Sequence, residues 1–231
     1  MASTADVLAH VPLFRELTPG ELAVIAPRFR EDRFERDAAI FHEGDEAVRF
    51  WVVKDGQVKI VKYAEGGKEI MIELIPPGEM FGGAAMLMPH QPATARALSP
   101  AVTLSLSIDE YRRLLREYPA VAVRVIEMLG QRLHGVIRMR AMASERVERR
   151  IAHILLKLAG KAGRETEEGL LIGLSLSRQD IAELAGTTTE TAIRVMSHFR
   201  QEGWVKTLRG GYVVITNRVA LEAMEIGRAH V

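Results

Sequence analysis

The sequence predicts an α+β chain in three parts: a strand-rich N-terminal domain, a long helix, and a C-terminal winged helix-turn-helix. Three stretches carry that prediction. LSLSRQDIAELAGTTTETAIRVMSHFRQEGWVKTLRGGYVVITN (174–217) reads as two helices across a tight turn, then a hairpin. AIFHEGDEAVRFWVVKDGQVKIVKYAEGGKEIMIELIPPGEMFG (39–82) breaks into strand-length runs separated by glycine turns. Residues 109–142 switch to helical spacing.

Composition bounds the function. With 231 residues, 48% hydrophobic and 26% charged, the chain has the make-up of an ordinary globular protein of one large or two modest domains. No run of about 18 apolar residues exists, so no membrane span is expected. MASTADVLAHVPLF lacks the basic-then-apolar layout of a signal peptide. The absence of cysteine excludes disulfides, thiolate zinc sites and cysteine-ligated iron–sulfur clusters. A cytoplasmic address is expected from these features. Charge is uneven: residues 1–118 carry 14 Lys and Arg against 18 Asp and Glu, whereas 119–231 carry 17 against 12. The basic half fits a polyanionic partner.

The first domain is expected over 12–118. A small helix is predicted from Pro19 to Ala26. Turn signals follow at Gly44, Asp55-Gly56, Gly66-Gly67 and Pro77-Gly78. Ile70, Ile72 and Leu74 alternate with Glu69, Met71 and Glu73, which predicts a half-buried strand with the first set inward. Gly66-Gly67 predicts a hairpin. Spacing of this kind fits a sandwich, roll or barrel without choosing among them.

The middle part is expected over 119–143. After a helix at 109–118, Pro119 suits the first position of a second. Ile126, Leu129, Leu133 and Val136 follow a 3-4-3 spacing, the narrow seam of a homodimeric coiled coil. The same face can also pack on its own domain.

The third part is expected over 144–220. Ser144 is a candidate cap for a helix through Ile151, Ile154, Leu155 and Leu158, with Gly160 ending it and KAGRETEEG forming a polar loop. Ser177 with Asp180 three residues on marks the next helix start. Ile181 and Ala182 face inward, and Gly186 sits where the chain must turn. Ala192 and Val195 return to the core from the following helix. That leaves Thr188, Thr189, Glu190, Ile193, Arg194 and Ser197 outward. Glu190 and Arg194 form an i,i+4 pair, worth a few tenths of a kcal/mol as a surface ion pair. The same two residues suit base readout: Glu accepts from cytosine N4 and Arg forks onto guanine O6 and N7. Lys206 and Arg209 on the hairpin, with its turn at Gly210-Gly211 and returning strand Val213–Ile215, and Arg178 at the first helix, suit double-stranded DNA as well. EIGRAHV (225–231) resembles the translation of a common sequencing-adapter oligonucleotide. It is expected to be non-native and is set aside.

FHEGDEA (41–47), FWVVKDGQVKI (50–60), PGEMFG (77–82) and above all TTTETAIRV (187–195) resemble the bacterial catabolite-activator/fumarate-nitrate-regulator (Crp/Fnr) family of transcription factors over about residues 10–220. The resemblance implies a jelly-roll-like β-roll sensor of the cyclic-nucleotide-binding type, a long dimerisation helix and a winged helix-turn-helix. It further implies a homodimer on an inverted-repeat operator, with RNA polymerase as a partner. Glu190 and Arg194 match the family's base-reading pair, and Thr191 matches a phosphate-contacting hydroxyl. Thr189 holds a variable specificity position. Ile193 replaces a small Gly or Ser, and it suits either a thymine methyl or packing.

The sensor departs from the cyclic-AMP branch. Gly83 stands where the resemblance implies a ribose-binding Glu. Ala93, followed by Thr94, stands where it implies a phosphate-binding Arg. Val136 and Ile137 replace hydroxyl residues that would meet the adenine. A cyclic phosphate would therefore lose a charge-assisted contact worth about 1.5–3 kcal/mol, and cyclic AMP is not expected to be the effector. The expected pocket comprises Phe81, Gly82, Gly83, Met86, Ala93, Thr94, Val136 and Ile137, with Met80, Leu87 and Met88 as further apolar walls. GGAAMLMPHQPATARA also resembles the nitric-oxide-responsive regulators of denitrification, some of which use haem; His10 and His90 are the candidate iron ligands. A Met-rich lining is equally an adaptable core. A β-roll enzyme of cupin type would need His-x-His and downstream ligands, and no His-x-His occurs. Control by a small unidentified effector, and a constitutive regulator with a vestigial sensor, both remain open.

Overall fold

The computed structural model describes residues 3–64, 66–67, 69–83, 88–142 and 145–226. It divides into two compact units, Met1–His134 and Gly135–Val231.

In the first unit, α1 (Thr4–His10) and α2 (Pro19–Ile25) each open on a capping box, Ser3 with Asp6 and Thr18 with Glu21. Eight strands follow: β1 (Arg30–Phe34), β2 (Ala39–Phe41), β3 (Arg49–Asp55), β4 (Val58–Tyr63), β5 (Glu69–Ile75), β6 (Met80–Phe81), β7 (Thr94–Ala97) and β8 (Ala101–Ser107). They form two antiparallel sheets, β1-β8-β3-β6 and β2-β7-β4-β5. The apolar run Phe50-Trp51-Val52-Val53 on β3 is explained by burial on both faces. Trp51 and Val53 join Phe41, Val58, Ile75, Phe81, Ala95 and Ala97 between the sheets. Phe50 and Val52 face the other way, toward Leu8, Phe14, Ile25, Leu104 and Tyr111 under the helices. Phe50 meets Tyr111 at 4.3 Å between ring centroids.

The β3–β4 turn needs glycine. Gly56 has φ +78°, and a Cβ there would lie 2.2 Å from the Pro100 carbonyl oxygen. The neighbouring turn accepts this close approach and is tied to it: Gln57 N–H donates to Ser99 Oγ at 3.0 Å.

The inward set predicted for β5 is corrected. Met71, Leu74 and Ile75 are buried, while Ile70 and Ile72 are exposed. Val61 pairs with Met71 but Ile60 pairs with Glu73, so Ile72 is the extra residue of a bulge. One inserted residue reverses the alternation on either side of it.

Two helices end the first unit's share of the chain, α3 (Ile108–Glu117) and the beginning of α4 (Pro119–Met142). Val121 and Val125 of α4 pack into the core under the helices. Ile126, Leu129 and Leu133 are 70%, 42% and 63% exposed. The Val136 side chain lies outside the described residues.

The second unit contains α5 (Val147–Ala162), β9 (Gly163–Thr166), β10 (Gly169–Ile172), α6 (Arg178–Leu184), α7 (Thr189–Gln201), β11 (Val205–Thr207), β12 (Val213–Ile215) and α8 (Arg218–Ile226). Its strands pair in the order β11-β12-β10-β9. Three expectations are corrected here. Helix α5 passes through Gly160 and ends at Gly163. KAGRETEEG is not a loop: its first two residues end α5 and the rest forms the β9–β10 hairpin, with Gly169 opposite Thr166. All four β9 residues are exposed, so this edge strand carries no apolar period to read. Glu225, set aside with the tail, ends inside α8, where its carboxylate lies 2.6 Å from His153 Nδ1. Ser144, the expected cap of α5, lies outside the described residues; Arg146 stands at the cap position without a side-chain bond.

Candidate functional site

The exposed face of α7 is built by the turn before it. Ser177 Oγ accepts from Asp180 N–H at 3.0 Å, and Ser177 N–H donates to the Asp180 carboxylate at 2.7 Å. This box starts α6 at one residue, so Ile181 and Ala182 point inward. Gly186 then turns the chain with φ +59°. Arg150 of α5 holds that turn from below: its Nε donates to the Ala185 carbonyl at 2.8 Å. Thr188 caps α7 by accepting from Thr191 N–H at 3.2 Å, so its hydroxyl serves the helix. Ala192, Val195, Met196 and Phe199 bury the opposite side.

What remains outward is Glu190, Ile193 and Arg194, with Thr189, Thr191 and Ser197 half-buried beside them. Ile193 is 47% exposed, more than a packing role requires. The ion pair between Glu190 and Arg194 is not formed: among the described residues, neither side chain is salt-bridged. Both are thus free to meet the donor and acceptor edges of a DNA major groove.

Four cations lie on α6, on the last turn of α7 and on the β11–β12 hairpin. Lys206 on β11 is held by Glu168 at 2.6 Å, with both groups exposed. Arg209 is exposed in the turn before β12. Arg178 is half-buried and donates to Thr207 Oγ1 at 2.9 Å. Burial, and then the nearby Arg200, push its guanidinium below the usual arginine range. Two neighbouring guanidinium groups are relieved by an anion between them. Arg200 was not singled out in the sequence. It sits at the far end of α7, and only the fold brings it near Arg178.

The first unit holds a pocket of about 130 Å³ lined by Phe41, Ile60, Glu73, Phe81, Gly82, Gly83, Gln91, Pro92 and Ala93. Four of the residues expected to line it do so: Phe81, Gly82, Gly83 and Ala93. Thr94 does not; it is buried, and its Oγ1 accepts from Glu43 N–H at 2.9 Å. Strand alternation sends it away from Ala93. Met86 and Leu87 lie outside the described residues. Met88 is exposed, Met80 packs under the helices, and Ile137 is exposed in the second unit. Phe41, Ile60, Glu73, Gln91 and Pro92 were not anticipated. Ile60 and Glu73 come together only through the β4–β5 register.

Among the described lining residues, Glu73 is the ionisable one, and none is Lys, Arg or His. Arg96, close by in sequence, is engaged elsewhere, donating to the Asp37 carbonyl at 2.7 Å and to Tyr63 Oη at 3.1 Å. Neither candidate iron ligand is among the pocket's described lining residues. His10 is exposed on α1 with Nδ1 2.7 Å from the Asp6 carbonyl, and His90 is exposed in a single bridge to Glu46. Gln91 is 2% exposed and its Nε2 has no hydrogen-bond partner among the described residues. A buried donor left so costs about 1–3 kcal/mol.

Comparison with known proteins agrees with this architecture. A family model described as the cyclic nucleotide-binding domain matches residues 31–118, and one described as the Crp-like helix-turn-helix domain matches 149–224. The cyclic AMP receptor protein of Thermus thermophilus is 30% identical over 220 residues, covering 94% of this chain and 98% of the relative. The chain belongs to the Crp/Fnr family. It is a sequence-specific DNA-binding transcription regulator. The global nitrogen regulator of Synechococcus elongatus is 29% identical over 90% of this regulator and 93% of its own length. Among solved structures, FixK2 from Bradyrhizobium japonicum shares the fold with a TM-score of 0.76 at 20% identity, over 88% of the regulator and 99% of that chain. No helix of the regulator, among the described residues, is long and apolar enough to cross a membrane.

Proposed function

We propose that the regulator acts as a homodimer on an inverted-repeat operator, gated by a small effector in the β-roll. The dimer uses the exposed seam of Ile126, Leu129 and Leu133. Two α7 helices then enter successive major grooves about 34–36 Å apart. Glu190 and Arg194 read bases in half-sites of the TGA type that the family resemblance implies. Arg178, Lys206 and Arg209 hold phosphates, joined by Arg200. The observation that carries this reading is the exposed Glu190 and Arg194, neither salt-bridged among the described residues, on the outer face of a helix whose inner face is packed. RNA polymerase is the further partner, and the cytoplasm is where such a protein meets DNA. Its relatives are regulators, which supports a non-enzymatic role.

The Thermus relative is named for cyclic AMP. We read the effector here as a different molecule. Gly83 and Ala93 line the pocket where a Glu and an Arg would be needed, and the ionisable group on hand is a carboxylate, Glu73. The described lining supplies no cation for a phosphate.

Selection of binding sites from random duplexes tests the readout. Wild type should enrich an inverted repeat. Arg194→Ala should lose about 1–3 kcal/mol per half-site and relax the guanine preference. An unchanged motif for Arg194→Ala would remove readout from α7.

A further inference from the structure

Arg150 lies on α5, yet its guanidinium is spent on the turn that leads into α7. Nε donates to the Ala185 carbonyl and Nη1 to the Glu145 carbonyl, each at 2.8 Å, while Nη2 reaches the Gly186 carbonyl at 3.4 Å. Ala185 ends α6, and Gly186 turns the chain at φ +59°. The last carbonyls of a helix lack partners within it, and a cation placed there meets the negative end of the helix. A guanidinium fork donates along fixed directions, whereas a lysine ammonium is a point charge on a flexible stem. Thr188 caps α7 two residues beyond Gly186. The fork thus holds the backbone from which α7 starts. Glu145, two residues before α5, enters the arrangement a second time: its carboxylate pairs with Arg149. Arg150 itself is half-buried, unlike the exposed Glu190 and Arg194.

We propose that Arg150 is a positioning residue for base readout. It sets where α7 starts, and so where Glu190 and Arg194 meet the bases, without itself contacting DNA. This rests on reading α7 as the recognition helix. Base contacts carry sequence preference, and phosphate contacts do not. A reading side chain must be held to within about 0.5 Å of its productive geometry. Attraction to phosphates acts over a Debye length of about 8 Å at physiological salt, so it tolerates a shift of that size. Loosening the turn therefore costs operator affinity and leaves non-specific affinity nearly intact.

Arg150→Gln and Arg150→Lys in the full-length regulator test this, each alone and combined with Arg194→Ala. Affinity is measured at several salt concentrations for random duplex and for the operator that wild type selects from it. Thermal melting sets an assay temperature below every transition. Both single variants should lose at least about tenfold in operator affinity. Their random-duplex affinity should shift by less than about twofold, with an unchanged salt slope. The lysine variant keeps the charge, so its loss reports the fork. Added to Arg194→Ala, either substitution should cost at least about threefold less than it does alone, because part of what the clamp aims is already gone. Equal losses on operator and random duplex would make Arg150 a phosphate contact and overturn the proposal. So would full additivity with Arg194→Ala, a lysine variant with wild-type operator affinity, or melting of both variants below any usable assay temperature. If Arg194→Ala leaves the selected motif unchanged, the reading of α7 fails and this role with it. If Arg194→Ala relaxes the motif while the Arg150 variants keep operator affinity, the positioning role alone fails.

Discussion

Arg194 and Lys206 are both basic and both exposed, yet they are set up for different work. Among the described residues Arg194 has no ion pair to give up, and it rises from a packed helix. Lys206 is held at 2.6 Å by Glu168 and must leave it to reach a phosphate. Exposed pairs of this kind are worth about 0–1 kcal/mol, so the exchange is easy. Lys206→Ala should weaken binding to all sequences alike and lower the salt slope by about one unit. Glu168→Gln should do the reverse in affinity, tightening all sequences by freeing the ammonium. Isotherms at several salt concentrations on operator and random duplexes measure both; a changed sequence preference in either variant would contradict a phosphate role. A second residue-scale expectation concerns stability. Gly56→Ala places a Cβ against the Pro100 carbonyl at a positive φ. The backbone strain alone costs about 1–3 kcal/mol. Fluorescence of Trp51 in a Trp204→Phe background should show the roll melting earlier, and an unshifted midpoint would mean that the turn relaxes around the methyl.

At the scale of elements, α4 presents two apolar stripes with different fates. Val121 and Val125 are buried in the first unit. Ile126, Leu129 and Leu133 are exposed, an apolar row that the single chain does not cover. A second copy supplies the same row from the other side, as an isologous interface requires. Leu129→Glu would bury a charge in that seam at a cost of several kcal/mol. Sedimentation should then show monomers, and a variant that stays fully dimeric would reject the seam. Legibility differs by element. The helix-turn-helix was readable because its caps and its glycine act over three or four residues. Strand β5 was readable as a strand but not in its facing, because the bulge at Ile72 depends on its partner β4. The β9–β10 hairpin was not readable at all from its first strand, whose residues are all exposed.

For the molecule as a whole, the uneven charge of the sequence follows its division of labour. The basic excess lies in the part with the helix-turn-helix, and the acidic excess lies in the part with the β-roll. Cyclic AMP should therefore fail as a signal: at physiological concentration it should neither bind detectably by calorimetry nor tighten operator binding. Micromolar binding together with raised DNA affinity would overturn this, and would require a cation reaching the pocket from outside its described lining.

The sequence by itself determined the order of the parts, the start of α6 at Ser177, the turn at Gly186, the outward pair Glu190 and Arg194, and the exclusion of cysteine chemistry. Each of these follows from residue type and local spacing, since caps, turns and helical faces are set by neighbours three or four positions away. The tertiary structure alone decided which β5 residues are inward, that Thr94 is spent on Glu43 fifty-one residues away, that Arg200 sits by Arg178, and that Gln91 is buried with a donor to spare. Those outcomes depend on which distant segments meet, and side chains separated by dozens of residues leave no periodic mark of their meeting.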